Sequence, residues 1–286
     1  MKQQAAKYLK GYHGERKLDY HLKGLPDHYS ILSDITLIIF GKKVQIDSFI
    51  ITPFAIFLLD VKSFEGTVTF DTILKQFVQD NGKTLKGYKY PLTQGEKIQY
   101  YLHQWLQSRN ISSFPIYYFI AFSESSTIIN VKGDEDTIGK VVSYIDDIPL
   151  RLMKLNENIS KNRIVNLTLK NKVVRAIMRE CEDFDYDILA TFDIKKNEIL
   201  PGVHCQQCEN LGMERLHGKG RCYKCGAYSK DAYLKGLQDY ILLISKTITN
   251  KACREFLQLN DRHEALHIIK SSHLFIKKSR QIWMKK

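Results

Sequence analysis

VQIDSFIITPFAIFLLDVKS, residues 44–63, is the stretch on which the fold turns. Two apolar runs flank Thr52-Pro53-Phe54-Ala55. Each run carries one aspartate, Asp47 and Asp60, and Lys62 follows the second by two residues. Runs this rich in Ile, Val and Phe read as strands, and the Pro-containing connection reads as a hairpin turn. A loop centred between Pro53 and Phe54 sets Asp47 opposite Asp60 and Gln45 opposite Lys62, whether it holds two residues or four. Pro53 favours four, because a two-residue turn wants positive φ at its first position. Opposed residues share one face of the sheet with Cβ atoms about 5 Å apart, so four polar groups converge there. Two aspartates this close repel each other unless something positive lies between them. A hard divalent cation, Mg²⁺ or Mn²⁺, answers that need, since Mg²⁺ accepts carboxylates at about 2.1 Å and keeps several waters. Lys62 could then hold a metal-activated water or steady charge on a phosphate.

Outward from the hairpin, residues 5–24 read as a helix with Leu18 and Leu22 on one side and Glu15 in line with them, which offers a third carboxylate. Strand patterns fill 29–70, and a polar loop is expected over 79–90. A helix is expected from Thr93 to Arg109, buried strands at 114–123 and in STIINVKG, and further helices around 134–155 and 162–181. Strands flanked and followed by helices indicate an α/β domain ending near residue 195.

HGERKLDYHL, QIDSFIITPFAIFLLDVKSFEG and PLTQ before a helix stand in the order and spacing of the nuclease-related domain, and the chain here resembles that NERD family of the PD-(D/E)xK nuclease superfamily. The resemblance covers roughly residues 10–125. It implies a restriction-endonuclease-like mixed sheet flanked by helices. It also implies a catalytic set of Glu15, Asp47, Asp60 and Lys62 with Gln94 as an auxiliary, and Mg²⁺ held by Asp47, Asp60 and Glu15 with help from the Val61 carbonyl. Asp60 stands where the family usually has Glu, and Ser48 where it often has His. Taken singly, Asp47 and Asp60 could be solvated strand-end residues, and D-x-K alone is a common string.

HCQQCENLGMERLHGKGRCYKCGAYS carries Cys205, Cys208, Cys222 and Cys225 as two C-x2-C pairs with thirteen residues between them. Two such knuckles around a short hairpin predict a zinc ribbon, with four thiolates closing one structural Zn²⁺ site. His204 and His217 are expected to be bystanders. Arg215, Lys219, Arg221, Tyr223 and Lys224 would give the ribbon a basic, partly aromatic surface. Cys181 and Cys253 are read as buried, inert thiols inside helices.

From Lys246 onward ten Lys and Arg oppose three acidic residues. The pattern is helix, turn, helix, hairpin, capped at Thr249 or Asn250 and at Asn260 or Asp261. It looks like a winged helix, with nucleic-acid contacts expected from Arg262, Lys270, Lys277, Lys278 and Arg280. The organisation is thus a nuclease-like domain over 1–195, a four-cysteine zinc ribbon over 200–229, and a helix with a winged-helix-like unit over 230–286.

Forty-three Lys and Arg against 31 Asp and Glu give the 286-residue chain a formal charge of +12, which suits a polyanionic partner. The N-terminal segment lacks an apolar signal core and no apolar run reaches spanning length, so a cytoplasmic protein without membrane contact is expected. The expectation is a Mg²⁺-dependent nuclease cutting DNA. The alternatives are an inactive nuclease-fold DNA-binding regulator, or an adaptor with protein partners in a DNA-processing or defence assembly.

Overall fold

Thr52 fixes the decisive turn. Its N–H donates to the Ala55 carbonyl at 3.0 Å, and its hydroxyl accepts from the N–H groups of Phe54 and Ala55 at 3.2 and 3.0 Å. The loop is therefore the four-residue form. The strands beyond it pair from Ile51↔Ile56 to Ser48↔Leu59, in the expected register.

The structure is a computed structural model that describes residues 2–111, 114–182, 187–216 and 218–286. The chain divides into two units, Met1–Phe184 and Asp185–Lys286. The first runs α1 (Lys2–Leu22), β1 (Ser30–Ile39), β2 (Lys42–Ile51), β3 (Ile56–Lys62), β4 (Thr67–Asp71), β5 (Gln76–Asp80), β6 (Leu85–Tyr88), α2 (Pro91–Gln107), β7 (Ile116–Phe122), β8 (Ile128–Lys132), α3 (Glu135–Val141), β9 (Val142–Tyr144), α4 (Ile148–Ser160), α5 (Leu167–Glu180) and β10 (Cys181–Glu182). A mixed six-stranded sheet has the order β10-β1-β2-β3-β7-β9, and a four-stranded sheet the order β6-β5-β4-β8. In the larger sheet β1, β2 and β3 are antiparallel, while β7 lies parallel to both β3 and β9.

The middle strands are apolar on both faces because both faces are covered. Phe49, Ile51, Ile56, Leu58, Ile120 and Phe122 pack with Leu102, Trp105 and Leu106 of α2, with Val173 and Ile177 of α5, and with Val68, Phe70 and Phe77 of the smaller sheet. Ile50, Phe57, Leu59, Phe119 and Ala121 point the other way, onto Leu18 and Leu22 of α1 and Ile148 and Leu152 of α4. Period-two alternation then carries Asp60 and Lys62 onto the face that α2 covers.

The second unit runs α6 (Ile188–Thr191), β11 (Met213–Leu216), β12 (Lys219–Cys222), β13 (Tyr228–Ser229), α7 (Ala232–Leu243), β14 (Thr247–Thr249), α8 (Asn250–Leu257), α9 (Arg262–Ser271), β15 (Phe275–Lys277) and β16 (Ile282–Lys285). Its two sheets are ordered β11-β12-β13 and β14-β16-β15. Thr249 caps α8 by accepting from the Ala252 N–H, and Asp261 caps α9 by accepting from the His263 N–H. Val203, Cys205 and Cys222 share one core with Tyr233 and Leu237 of α7, Cys253 of α8 and Ile269 of α9.

Several elements differ from expectation. The stretch 79–90 is not a plain loop: it contains β6, which pairs with β5 across a turn closed by Asn81. Residues 134–155 do not form one helix, because β9 interrupts them to extend the sheet beside β7. The helix expected over 162–181 starts later, at Leu167, where Asn166 caps it through the Leu169 N–H. Cys181 lies half-buried in β10 rather than inside a helix, whereas Cys253 is buried in α8 and its thiol is pushed up to about 12 by that burial. Arg215 is not a free ribbon cation: it pairs with Glu264 at 2.9 Å and lies over the Tyr233 ring.

Candidate active site and metal centre

The β2–β3 ladder stops at Ser48↔Leu59, one pair short of Asp47 and Asp60. Asp47 uses its side chain there, accepting the Val61 N–H at 2.7 Å. Across β2, Asp34 of β1 has φ +51 and interrupts the β1–β2 ladder between Ser33↔Ser48 and Ile35↔Ile46. The sheet is thus opened beside Asp47 from both neighbouring strands.

Asp47, Asp60 and Gln94 line one cavity of about 70 Å³ together with Gln45, Ile46, Leu59, Ile98 and Tyr118. Asp60 is 9 % exposed. Lys62 Nζ reaches both of its oxygens, at 2.9 and 2.8 Å. Tyr118, from the parallel strand β7, donates its hydroxyl to Asp60 Oδ2 at 2.6 Å. The expected set did not include Tyr118. The sequence signal for it is weak: Tyr118 is one of two adjacent tyrosines in the otherwise apolar run IYYFIAF. Gly95 makes room for its ring, since a Cβ at that position would lie 2.2 Å from the Tyr118 Cδ1 and Cε1 atoms.

Glu15 comes from α1, which docks closely because Gly14 faces Ser63 and Ser123; a Cβ there would fall 2.1 Å from Ser63 Oγ. Those two hydroxyls share a 2.7 Å hydrogen bond, and Lys17 pairs with Glu124 at 2.7 Å. Burial, then Asp34 and Asp19, push the Glu15 carboxyl up. Asp47 is pushed up to about 7 by burial and by Asp60, with a smaller push from Glu15, against the opposing Val61 hydrogen bond and the Lys62 charge. Burial and the neighbouring Asp60 also drive the Tyr118 phenol upward, so it acts as a donor.

The carboxylates are therefore short of positive charge even with Lys62 present, and that shortage is what a divalent cation relieves. Two carboxylates and a small polar cavity suit Mg²⁺, which binds through one or two carboxylates and retains water. Glu15 is near enough to Asp47 to push its carboxyl up. Among the described residues, the group of His, Cys, Asp and Glu side chains whose ligand atoms all lie within 4.8 Å of one another is Cys205, Cys208, Cys222 and Cys225.

In that second centre the Sγ atoms of Cys205 and Cys225, and of Cys208 and Cys222, are 3.6 Å apart. Tetrahedral Zn–S bonds of about 2.3 Å require S···S distances of about 3.8 Å, so the thiols fit Zn²⁺. Each knuckle closes with a left-handed residue after its second cysteine, Glu209 at φ +55 and Gly226 at φ +71. The Cys225 and Lys224 N–H groups bring Cys222 down to about 6, and the Cys208 and Gln207 N–H groups lower Cys205. His204 Nδ1 lies against the Glu209 carbonyl at 3.1 Å, outside this group. His217 lies outside the described residues.

Residues 10–123 match the family model described as nuclease-related domain. That span holds Glu15, Asp47, Asp60, Lys62, Gln94 and Tyr118, so the first unit carries a nuclease-related domain. The match takes in less than half of the chain and leaves the cysteine centre and the basic C-terminal segment outside it. No curated protein matches the chain. Among the described residues, no helix is long and apolar enough to cross a membrane.

Proposed function

We infer that the protein is a divalent-metal-dependent nuclease that hydrolyses phosphodiester bonds, with DNA as the expected substrate. The observation that carries this reading is the cavity where Asp47 and Asp60 meet beside the Lys62 ammonium, inside the nuclease-related span. Asp47 and Asp60 would hold Mg²⁺ with the Val61 carbonyl, and Glu15 would add negative charge at its side. When bound, the ion supplies Lewis-acid polarisation of a phosphoryl oxygen and an acidified water. Lys62 would orient the attacking water and offset charge developing on the phosphate oxygens. Gln94, on the cavity wall, offers an amide to the same water or to phosphate. Tyr118 holds Asp60 at a fixed angle.

The second unit would deliver the enzyme to its substrate. Support comes from the order β14, α8, α9, β15, β16, which is that of a winged helix, and from Arg262, Lys270, Lys277, Lys278 and Arg280 on α9 and the hairpin. The segment over 200–229 would be a structural zinc ribbon.

A second reading is favoured by one observation: the Lys62 ammonium is paired with Asp60 at 2.8 Å. On that reading the domain is an inactive scaffold in a DNA-binding regulator or an adaptor. Cleavage of supercoiled plasmid with Mg²⁺ or Mn²⁺, comparing wild type with Lys62→Ala, separates the two. The nuclease reading expects nicking or linearisation that Lys62→Ala abolishes. Equal cutting by both proteins rejects the lysine role. Tight, salt-sensitive DNA binding without cutting supports the regulator, and absence of both supports the adaptor.

A further inference from the structure

Six cations of the second unit, Lys251, Arg254, Arg262, Lys270, Lys277 and Arg280, line a single pocket of about 490 Å³, and none of its lining residues is acidic. Arg262, Leu266 and Lys270 recur every four residues, so one face of α9 looks into this pocket. The β15–β16 hairpin and the start of α8 supply the rest of the lining. Arg254 Nε is closed off from solvent and has no hydrogen-bond partner. Lys251 makes an exposed 3.7 Å pairing with Glu255 one helical turn away, an interaction of little strength. Trp283 of β16, half-buried, lines the same space.

Cations gathered in a concavity repel one another and focus their field outward, so the pocket is built for an anion. Arg254 is half-buried and lines the pocket, and a guanidinium held in place this way is a strong donor to phosphate oxygens. The shape narrows the ligand further. A helix that reads a duplex presents a convex face to a major groove about 12 Å wide. Here the cationic face of α9 instead shares a cleft with a hairpin. A single strand fits such a cleft, because its backbone can follow the cations while an unstacked base lies on an aromatic ring.

We propose that this cleft is a site for single-stranded nucleic acid, in which Arg254, Arg262 and Lys270 bind successive phosphates and Trp283 stacks one base. The assignment rests on the nucleic-acid reading above and sharpens it. The substrate brought to the first unit then carries a single-stranded segment, such as a strand end, a flap, a gap or the locally unpaired region of a supercoiled plasmid.

The test is fluorescence anisotropy on the zinc-replete full chain carrying Asp47→Asn, without added Mg²⁺ or Mn²⁺ and without chelator, with labelled oligothymidylate, oligouridylate and a duplex of the same length. At least one single strand should bind about tenfold more tightly than the duplex, and Arg254→Ala and Lys270→Ala should each weaken it several-fold and flatten its salt dependence. Binding should quench tryptophan fluorescence, and Trp283→Phe should remove the quench, because Trp105 is buried in the first unit. An abasic strand should bind without quenching. Duplex binding as tight as single-strand binding, or single-strand binding with no tryptophan response, overturns the proposal. Cutting plays no part in these readouts. A silent active site therefore leaves them intact, and a failed cleft leaves the cleavage assay untouched.

Discussion

The Tyr118 hydroxyl donates to Asp60 Oδ2 at 2.6 Å across the parallel β3–β7 pair, while Lys62 Nζ holds the same carboxylate from its own strand. Asp60 is thus fixed by a phenol and an ammonium before any ion arrives. A carboxylate held this way cannot swing, so it would present its oxygens to a bound metal in one orientation.

Tyr118→Phe keeps the ring over Gly95 and removes only that hydrogen bond. A hydrogen bond to a charged group is worth about 1.5–3 kcal/mol, so the melting temperature of the variant should fall measurably. If Asp60 is a metal ligand, the Mg²⁺ concentration for half-maximal cleavage should rise by about tenfold or more. A variant that loses stability but keeps its metal dependence would reduce Tyr118 to a packing role.

Gly95→Ala tests the same contact from the helix side. The added methyl would press into the Tyr118 ring, and overpacking of this kind costs about 1–3 kcal/mol. The ring must turn or α2 must lift, and either moves the phenol off Asp60. Thermal melts and metal titrations of this variant should resemble those of Tyr118→Phe. The double variant should lose less than the sum of the two, because the contact can be broken only once.

The hairpin register was legible in the sequence because Pro53 limits the turn and strand alternation then fixes every facing pair. The cysteine centre was legible for a similar reason: its ligands come as two local pairs. Tyr118 was not, since its tie to Asp60 arises from parallel pairing of strands 58 residues apart in the chain, which no local period reports. β6 was missed because all four of its residues are exposed, so LKGY has no apolar alternation to show. β9 was missed because three residues are too few to break the helical pattern on either side of it. Arg215 was misjudged because Glu264, which neutralises it, lies 49 residues downstream.

Asp47 gives the protein a pH signature. Its carboxyl is pushed up to about 7 in the fold by burial and Asp60, against an ordinary value near 4 when unfolded. The metal-free folded state then binds more protons than the unfolded state between these limits, so stability should fall as pH rises from about 4 to about 7. Denaturant melts without added Mg²⁺, followed by Trp105 fluorescence in a Trp283→Phe background, should show the decline across that range. Asp47→Asn should flatten it and melt higher than its parent at pH 8. A parent profile that rises through the window would contradict the buried carboxylate pair. Mg²⁺ should oppose the decline, because it binds the deprotonated form that high pH favours.

Zinc removal should unfold one unit and spare the other. Cys205 and Cys222 are buried in the same core as α7, α8 and α9, so the cysteine cluster is part of the packing of Asp185–Lys286. Four facing thiols without an ion would carry their charge or their protons into that core. Structural zinc contributes roughly 10–16 kcal/mol in small peptides, more than a domain of this size ordinarily has to spare. Dialysed protein should contain about one zinc per chain. Calorimetry should show two transitions, of which a strong chelator abolishes the one belonging to the second unit. Cys225→Ser should do the same without a chelator, and limited proteolysis should then stop near residue 185 and leave the nuclease-related unit whole. A protein that melts identically with and without chelator, and carries no zinc, would show that the four thiols pack as ordinary core side chains.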